Sequence, residues 1–208
     1  TDSYTIVLDA QPTANVFVHI SADAQSTVST SSLVFTSSNW STPQTITVSA
    51  VDDALAEGPH DSTITHSVTS TDPGYDAIAV ADIVAHITDN DDVGFTLSAI
   101  SGNTSEAGAT ATFTVVMTSQ PTAIVTTSIH SFDTTEGTIN TSTLVFHTDD
   151  WDIPRTITVT GVDDVLVDGD IAYSIILDPA ESDDLNYNGF MPGFVALSNI
   201  DDDIIGIS

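Results

Sequence analysis

The chain has 208 residues, with 30 Asp and Glu against a single Lys or Arg, and a formal net charge of -29. Arg155 is the only base, so the chain lacks the electrostatic footprint of a DNA or RNA binder and the polybasic segment that attaches proteins to anionic membranes. It has no Cys, which excludes disulfides, thiolate metal sites and Cys nucleophiles.

Taken in chain order, candidate strands run over 4–8, 16–20, 32–36, 45–50, 62–69 and 79–88. A second set follows over 93–99, 110–117, 124–130, 143–147, 156–160, 171–177 and 190–198. The signal is a period of two: Ile46, Val48 and Ala50 alternate with Thr45, Thr47 and Ser49, and Ile157 and Val159 alternate with Thr156, Thr158 and Thr160. Such alternation marks strands with one buried face. With 32 Thr and 24 Ser, the composition suits a pleated, half-buried surface. Gln-Pro-Thr and Asp-Pro-Gly turns separate the strands, and no segment has a helical period. No run approaches 18 apolar residues, so no membrane insertion is expected.

The two sets are copies. Residues 30–58 (TSSLVFTSSNWSTPQTITVSAVDDALAEG) and 141–169 (TSTLVFHTDDWDIPRTITVTGVDDVLVDG) are identical at 16 of 29 positions. A unit of about 110 residues is a domain rather than a solenoid repeat. The expectation is all-β: two tandem immunoglobulin-like antiparallel β-sandwiches, over 1–92 and 93–203. The second unit has a leading strand, Val93-Gly94-Phe95-Thr96-Leu97, that the first lacks. Residues 204–208 repeat that lead-in as Ile204-Ile205-Gly206-Ile207 and read as the start of a next repeat or a tail. The chain opens mid-pattern and reads as a piece of a longer protein. The first sandwich is therefore expected to have an open edge, a template for strand addition, and strand exchange between copies through the 204–208 tail is one expected association.

The acid is unevenly distributed. Asp outnumbers Glu 26 to 4 and comes in runs. Asp52-Asp53 and Asp163-Asp164 follow the Thr-Ile-Thr-Val strand of each unit. Glu57, and then Asp168 and Asp170, precede the next strand. Asp89–Asp92 and Asp201–Asp203 close each unit, and Glu106 follows the first strand of the second. Two carboxylates about 4 Å apart repel by about 4 kcal/mol at an effective dielectric of about 20, so several runs converging at one end of a sandwich need a counter-ion. Ca²⁺ accepts six to eight oxygens from flexible loops. An EF-hand fits worse: Asp89-Asn90-Asp91-Asp92-Val93-Gly94 has no oxygen ligand at its fifth position and Ile100 where the bidentate Glu belongs.

The sequence resembles the Calx-beta family, and the Calx-beta-like repeats of large bacterial surface proteins. The resemblance rests on Val162-Asp163-Asp164-x-Leu166-x-Asp168-Gly169-Asp170, Ser105-Glu106-Ala107-Gly108 and Ile200-Asp201-Asp202-Asp203. It implies a seven-stranded sandwich that binds calcium ions at one end. The implied ligands are Glu106, Asp133, Asp163, Asp164, Asp168, Asp170, Asp201 and Asp203, with the carbonyl of Leu166. The first unit offers Asp52, Asp53, Glu57, Asp89 and Asp91, with Asp23 matching Asp133. It has no Glu106 counterpart and has Pro59 in place of Asp170, so fewer or weaker ions are expected there.

The functional expectation is a calcium-binding spacer of a secreted or cell-surface protein, partnered by neighbouring repeats of the same chain, with Ca²⁺ stiffening the joint near Asp89–Asp92. The alternatives are an adhesive domain gripping a glycan or protein, or an accessory domain of a secreted hydrolase. Trp40 and Trp151 would be platforms in an adhesin and buried core rings in a spacer. No Gly-x-Ser-x-Gly elbow or shared His spacing supports catalysis or zinc.

Overall fold

The computed structural model describes residues 1–206; the end of the 204–208 segment, Ile207 and Ser208, lies outside the described residues. The chain divides into two compact units, residues 1–53 with 57–89, and residues 54–56 with Asn90 onward. Both are largely antiparallel β-sandwiches, and no described residue is helical.

The first unit contains β1 (Asp2–Ile6), β2 (Val16–Ala22), β3 (Ser26–Val28), β4 (Ser32–Phe35), β5 (Gln44–Ala50), β6 (His60–Ser70) and β7 (Ile83–Ile87). They form two sheets in the orders β1-β5-β3 and β4-β2-β6-β7. Alternate residues face inward, so β2 buries Val16, Val18 and Ile20 while Phe17 and His19 point out. These pack with Phe35, Ile46, Val48, Ile64 and Val68. Fully burying each such side chain is worth roughly 1.5–3 kcal/mol.

The second unit contains β8 (Phe95–Leu97), β9 (Thr104–Ser105), β10 (Thr110–Met117), β11 (Val125–Ser131), β12 (Gly137–Ile139), β13 (Thr143–Phe146), β14 (Arg155–Gly161), β15 (Ile171–Leu177), β16 (Glu181–Ser182) and β17 (Gly193–Ile200). Its sheets run β12-β14-β10-β8 and β13-β11-β15-β17-β9, with β16 pairing β11. Strands β10–β15 and β17 repeat β1–β7 in order; β8, β9 and β16 are extra. The two additions at the start differ in kind. β8 lies antiparallel to β10, with Phe95 opposite Met117 and Leu97 opposite Val115. β9 lies parallel to β17 and carries the chain past the end of that sheet.

Phe95 is the anchor of β8. Its ring meets Phe146 at 5.7 Å, Tyr187 at 5.8 Å and Phe190 at 5.8 Å between centroids. Arg155 at the start of β14 lies 5.1 Å over the Phe146 ring and pairs with Asp150 at 2.6 Å; the His147 N–H that Asp150 accepts, and then Arg155, hold the Asp150 carboxyl below the usual range. Both Trp rings are half-buried rather than enclosed. Trp151 packs against the second core, and the carbonyls of Trp40 and Trp151 accept the N–H groups of Leu8 and Met117.

Candidate metal centre

The acidic end of the second unit is built by three loops meeting around Gly161. A Cβ at Gly161 would run into the Ser105 carbonyl and the Asn199 side chain. Glycine there lets β9 approach β14 closely, which sets the residue after β9, Glu106. The Glu106 N–H donates to the Ile200 carbonyl at 3.1 Å, and its Oε2 accepts the Asp202 N–H at 3.2 Å. Asn199 donates to the Val162 carbonyl at 2.9 Å, and the Val162 N–H donates to the Glu136 carbonyl at 3.1 Å. The start of the 163–170 loop is thus tied to both β17 and the turn before β12.

That loop is shaped by its own carboxylates. Asp164 Oδ1 accepts the Leu166 N–H at 2.6 Å, and Asp201 Oδ2 accepts the Gly169 N–H at 2.7 Å. Gly169 has φ of +78°, a left-handed conformation that suits glycine.

Three groups of carboxylates have oxygens within 4.8 Å of one another: Glu106 with Asp168 and Asp201, Glu106 with Asp163 and Asp202, and Glu136 with Asp164 and Asp168. Glu106 and Asp168 each belong to two groups, so the groups overlap. Glu106 is 5 % exposed and Glu136 7 %. Burial raises the pKa of both, and neighbouring carboxylates add to it: Asp201, Asp164 and Asp203 for Glu106, and Asp168, Asp133 and Asp164 for Glu136. Asp203 is raised in the same way, by burial and then by Asp201, Asp202, Asp164 and Asp163. Its Oδ2 is buried without a hydrogen-bond partner. Asp201 is lowered instead, because the N–H groups of Asp203 and Gly169 donate to it. The chain's only Lys or Arg, Arg155, is engaged by Asp150.

This donor set fits calcium. It is all hard oxygen, it has buried anionic groups with no protein cation, and it leaves a buried carboxylate oxygen unsatisfied. Of the residues expected from sequence, Glu106, Asp163, Asp164, Asp168 and Asp201 stand in the groups and Asp203 stands beside them. Asp133 and Asp170 are in none. Asp133 Oδ1 instead accepts the N–H and Oγ1–H of Thr135, at 3.0 and 2.6 Å, and these bonds lower its pKa. Sequence reasoning missed Asp202 and, more consequentially, Glu136. One signal for Glu136 was present: three of the chain's four Glu residues, Glu57, Glu106 and Glu136, lie at these acidic ends.

In the first unit no such group forms among the described residues. The frame is the same: Asp89 Oδ2 accepts the Gly58 N–H at 2.8 Å, as Asp201 accepts that of Gly169, and also the Glu57 N–H at 2.7 Å. Gly58 has φ of +68°. The contents differ. Gln25 occupies the position of Glu136 before the short third strand and donates to Glu57 Oε1 at 3.0 Å. His60 Nε2 stands 3.6 Å from Glu57 Oε2. Asp23 accepts Ser62 Oγ–H at 2.6 Å and the Thr63 N–H at 2.7 Å, which lower its pKa. Asp52, Asp53 and Asp91 join no group of three. Ala50 stands where the second unit has Gly161.

No protein-family model matches the chain, and no curated protein does. Among solved structures, it is similar to CBD12 from CALX1.2 (13 % identity, 89 % of this chain and 77 % of that one, TM-score 0.39). It is also similar to the calcium binding domain CBD12 of CALX1.1 (15 % identity, 86 % and 74 % covered, TM-score 0.41). A third similarity is to domains 4 and 5 of the S-layer protein SbsC (11 % identity, 88 % and 96 % covered, TM-score 0.29).

Proposed function

We propose that the second unit binds Ca²⁺ at its acidic end, and that the chain is a calcium-dependent structural module of a secreted or cell-surface protein. The observation that carries this reading is the pair Glu106 and Glu136. Both are buried, neither has a basic partner, and each stands in a carboxylate group within 4.8 Å. A buried carboxylate either takes up a proton or finds a cation. Glu106, Glu136, Asp163, Asp164, Asp168, Asp201 and Asp202 supply oxygens from three loops, and Asp203 adds its unsatisfied one. Bound Ca²⁺ neutralises them and fixes the 163–170 loop to β9 and β17. The first unit serves as a metal-poor companion, its loop closed by Gln25 and Glu57.

The experiment is calorimetric titration with Ca²⁺ of the chelator-treated chain and of its Glu106→Gln/Glu136→Gln variant. Heat of binding in the parent and its loss in the variant are expected. No heat in the parent, with identical melts in Ca²⁺ and chelator, removes the proposal.

A further inference from the structure

The second unit has a groove where the first has an unbroken strand. In the first unit β6 runs from His60 to Ser70 without interruption. In the second the same stretch stops at Leu177 and resumes as β16 at Glu181. Register shows why. Three steps along β2, from Ile20 to Phe17, move the partner three residues, from His66 to Thr69. Three steps along β11, from Ile129 to Thr126, move it four, from Leu177 to Glu181. The extra residue makes a bulge at Asp178-Pro179-Ala180, and Pro179 has no N–H for the ladder. The bulge is pinned on every side. The Asp178 N–H donates to the Ser128 carbonyl at 2.9 Å, and Thr127 Oγ1 donates to the Asp178 carbonyl at 2.7 Å. The Ala180 N–H donates to the Phe190 carbonyl at 2.8 Å, and the Ala180 carbonyl accepts the Gly189 N–H at 2.7 Å.

The groove at this bulge has a volume of about 450 Å³ and is lined by Thr126, Ser128, Asp178, Pro179, Glu181 and Asn188 among others. That volume is within the range of about 300–1,000 Å³ common to ligand pockets. Thr126 and Ser128 alternate with the buried Val125, Thr127 and Ile129, so both hydroxyls face outward. Among the described residues, Thr126 Oγ1, Ser128 Oγ, Asn188 Nδ2 and the Glu181 carboxylate have no hydrogen-bond partner in the protein. Asp178 Oδ2 has His130 Nδ1 at 3.4 Å. The first unit spends the same positions on itself. Phe17 and His19 stand for Thr126 and Ser128, since Phe17 faces Val34 as Thr126 faces Val145. His19 Nε2 is bonded to Thr69 Oγ1 at 3.1 Å.

We infer that the groove at the Asp178-Pro179-Ala180 bulge is a binding site for a neutral sugar. The free groups combine donors (two hydroxyls and the Asn188 amide) with acceptors (the Asp178 and Glu181 carboxylates). A ligand made of hydroxyls, each both donor and acceptor, can use all of them. A carboxylate accepts from two neighbouring hydroxyls at once, and such charge-assisted bonds are the stronger kind. An ammonium ligand only donates and leaves the Asn188 N–H groups unmet. An anionic ligand is refused, because two carboxylates face it and the chain's one Arg is held by Asp150. Pro179 gives the apolar faces of a sugar ring something to rest on. The inference does not depend on calcium. The groove shares no residue with the carboxylate groups and lies at the other end of β15, whose seven residues span about 23 Å at about 3.3 Å each.

Amide ¹H–¹⁵N spectra of the full chain in chelator test this. The chain is titrated with glucose, mannose, galactose, N-acetylglucosamine and a disaccharide of each, and with glucuronic acid as the anionic comparison. At least one neutral sugar should shift amides confined to residues 126–130, 178–183 and 188–189, and glucuronic acid should not. Glu181→Gln, whose side chain holds nothing else in place, should weaken the response severalfold. Thr126→Phe with Ser128→His, which installs the first unit's residues on an exposed face, should abolish it. The chain with Glu106→Gln and Glu136→Gln should respond like the parent, which separates this site from the calcium reading. No shift with any of the neutral sugars overturns the inference. So do shifts that fall outside the groove, an equal response to glucuronic acid, or an unchanged response in the folded Thr126→Phe/Ser128→His chain.

Discussion

The two units share a frame and differ in what it holds. In both, a glycine in a left-handed conformation donates its N–H to an Asp at the end of the last strand: Gly58 to Asp89 and Gly169 to Asp201. Among the described residues only the second brings three carboxylates together. There Gly161 lets β9 approach, and with it Glu106. Glu136 adds a buried carboxylate, where Gln25 instead donates a hydrogen bond to Glu57. A site for a cation thus depends less on the number of acids than on whether backbone and burial force them together. The first unit also has Asp runs, but there Glu57, Asp23 and Asp89 are met by amide, hydroxyl and N–H groups.

The sharpest way to break this comparison is to remove one of the two residues that belong to two groups. Asp168→Asn should weaken Ca²⁺ binding on the order of a hundredfold, since charges about 4 Å apart interact by several kcal/mol at the dielectric of a protein surface. Glu57→Gln, the matching change in the first unit, should leave the titration unchanged. Equal losses in calorimetry would mean that the units do not differ as described.

Next comes stability. Ligand that binds only the folded state adds about 2.7 kcal/mol at 100 times its dissociation constant. Ca²⁺ should raise the melting transition of the second unit by several degrees and leave that of the first in place. Scanning calorimetry in Ca²⁺ and in chelator resolves the two, and a shift confined to the first transition would reverse the assignment.

Gly161→Ala changes no ligand yet should weaken Ca²⁺ roughly tenfold, by pushing Ser105 and so Glu106 away, the kind of loss seen when groups behind a metal ligand are altered. An unchanged affinity would show that β9 does not need its close approach.

The pH response is smaller and has opposite signs in the two states. Glu106, Glu136 and Asp203 have raised pKa values in the folded chain, so the folded state binds protons more readily than the unfolded one. Their strain on the metal-free chain is present at neutral pH and is relieved as pH falls through those raised values. In chelator, acidification from neutrality towards the ordinary carboxylate range should therefore raise the melting temperature of the second unit. Below that, Asp23, Asp72, Asp133, Asp150 and Asp201, with lowered values, lose their stabilisation. In Ca²⁺ the first effect should reverse, because protons compete with the ion. Melts that fall monotonically with acid in both conditions would sink this reading.

Much of the fold is legible in the sequence because alternation reports burial directly. β2, β5, β11 and β14 follow from period-two runs, and the duplication doubles every signal. The three-residue β3 and β12 and the two-residue β9 and β16 are too short to carry a period. Residues 79–82, within the strand expected over 79–88, are irregular: Val80 packs on the core from outside a strand, and β7 begins at Ile83. At the site, Asp runs are visible as runs, and Glu106, Asp163, Asp164, Asp168 and Asp201 can be read from strand ends. Glu136 cannot. It is a lone acid in Thr134-Thr135-Glu136-Gly137, and only the turn from β11 to β12 brings it to Asp164 and Asp168. Asp133 is the more conspicuous acid, but Thr135 consumes its carboxylate.

The solitary Arg155 has a further consequence. A trypsin-like protease cuts after Lys or Arg and needs the cut segment free to enter its cleft, as at an exposed loop tip. This chain offers it one bond, Arg155–Thr156. That bond lies inside β14, where both residues pair with β10 and the guanidinium is held between Asp150 and the Phe146 ring. The same residue balance that makes the chain acidic also makes its folded form a poor substrate for such proteases.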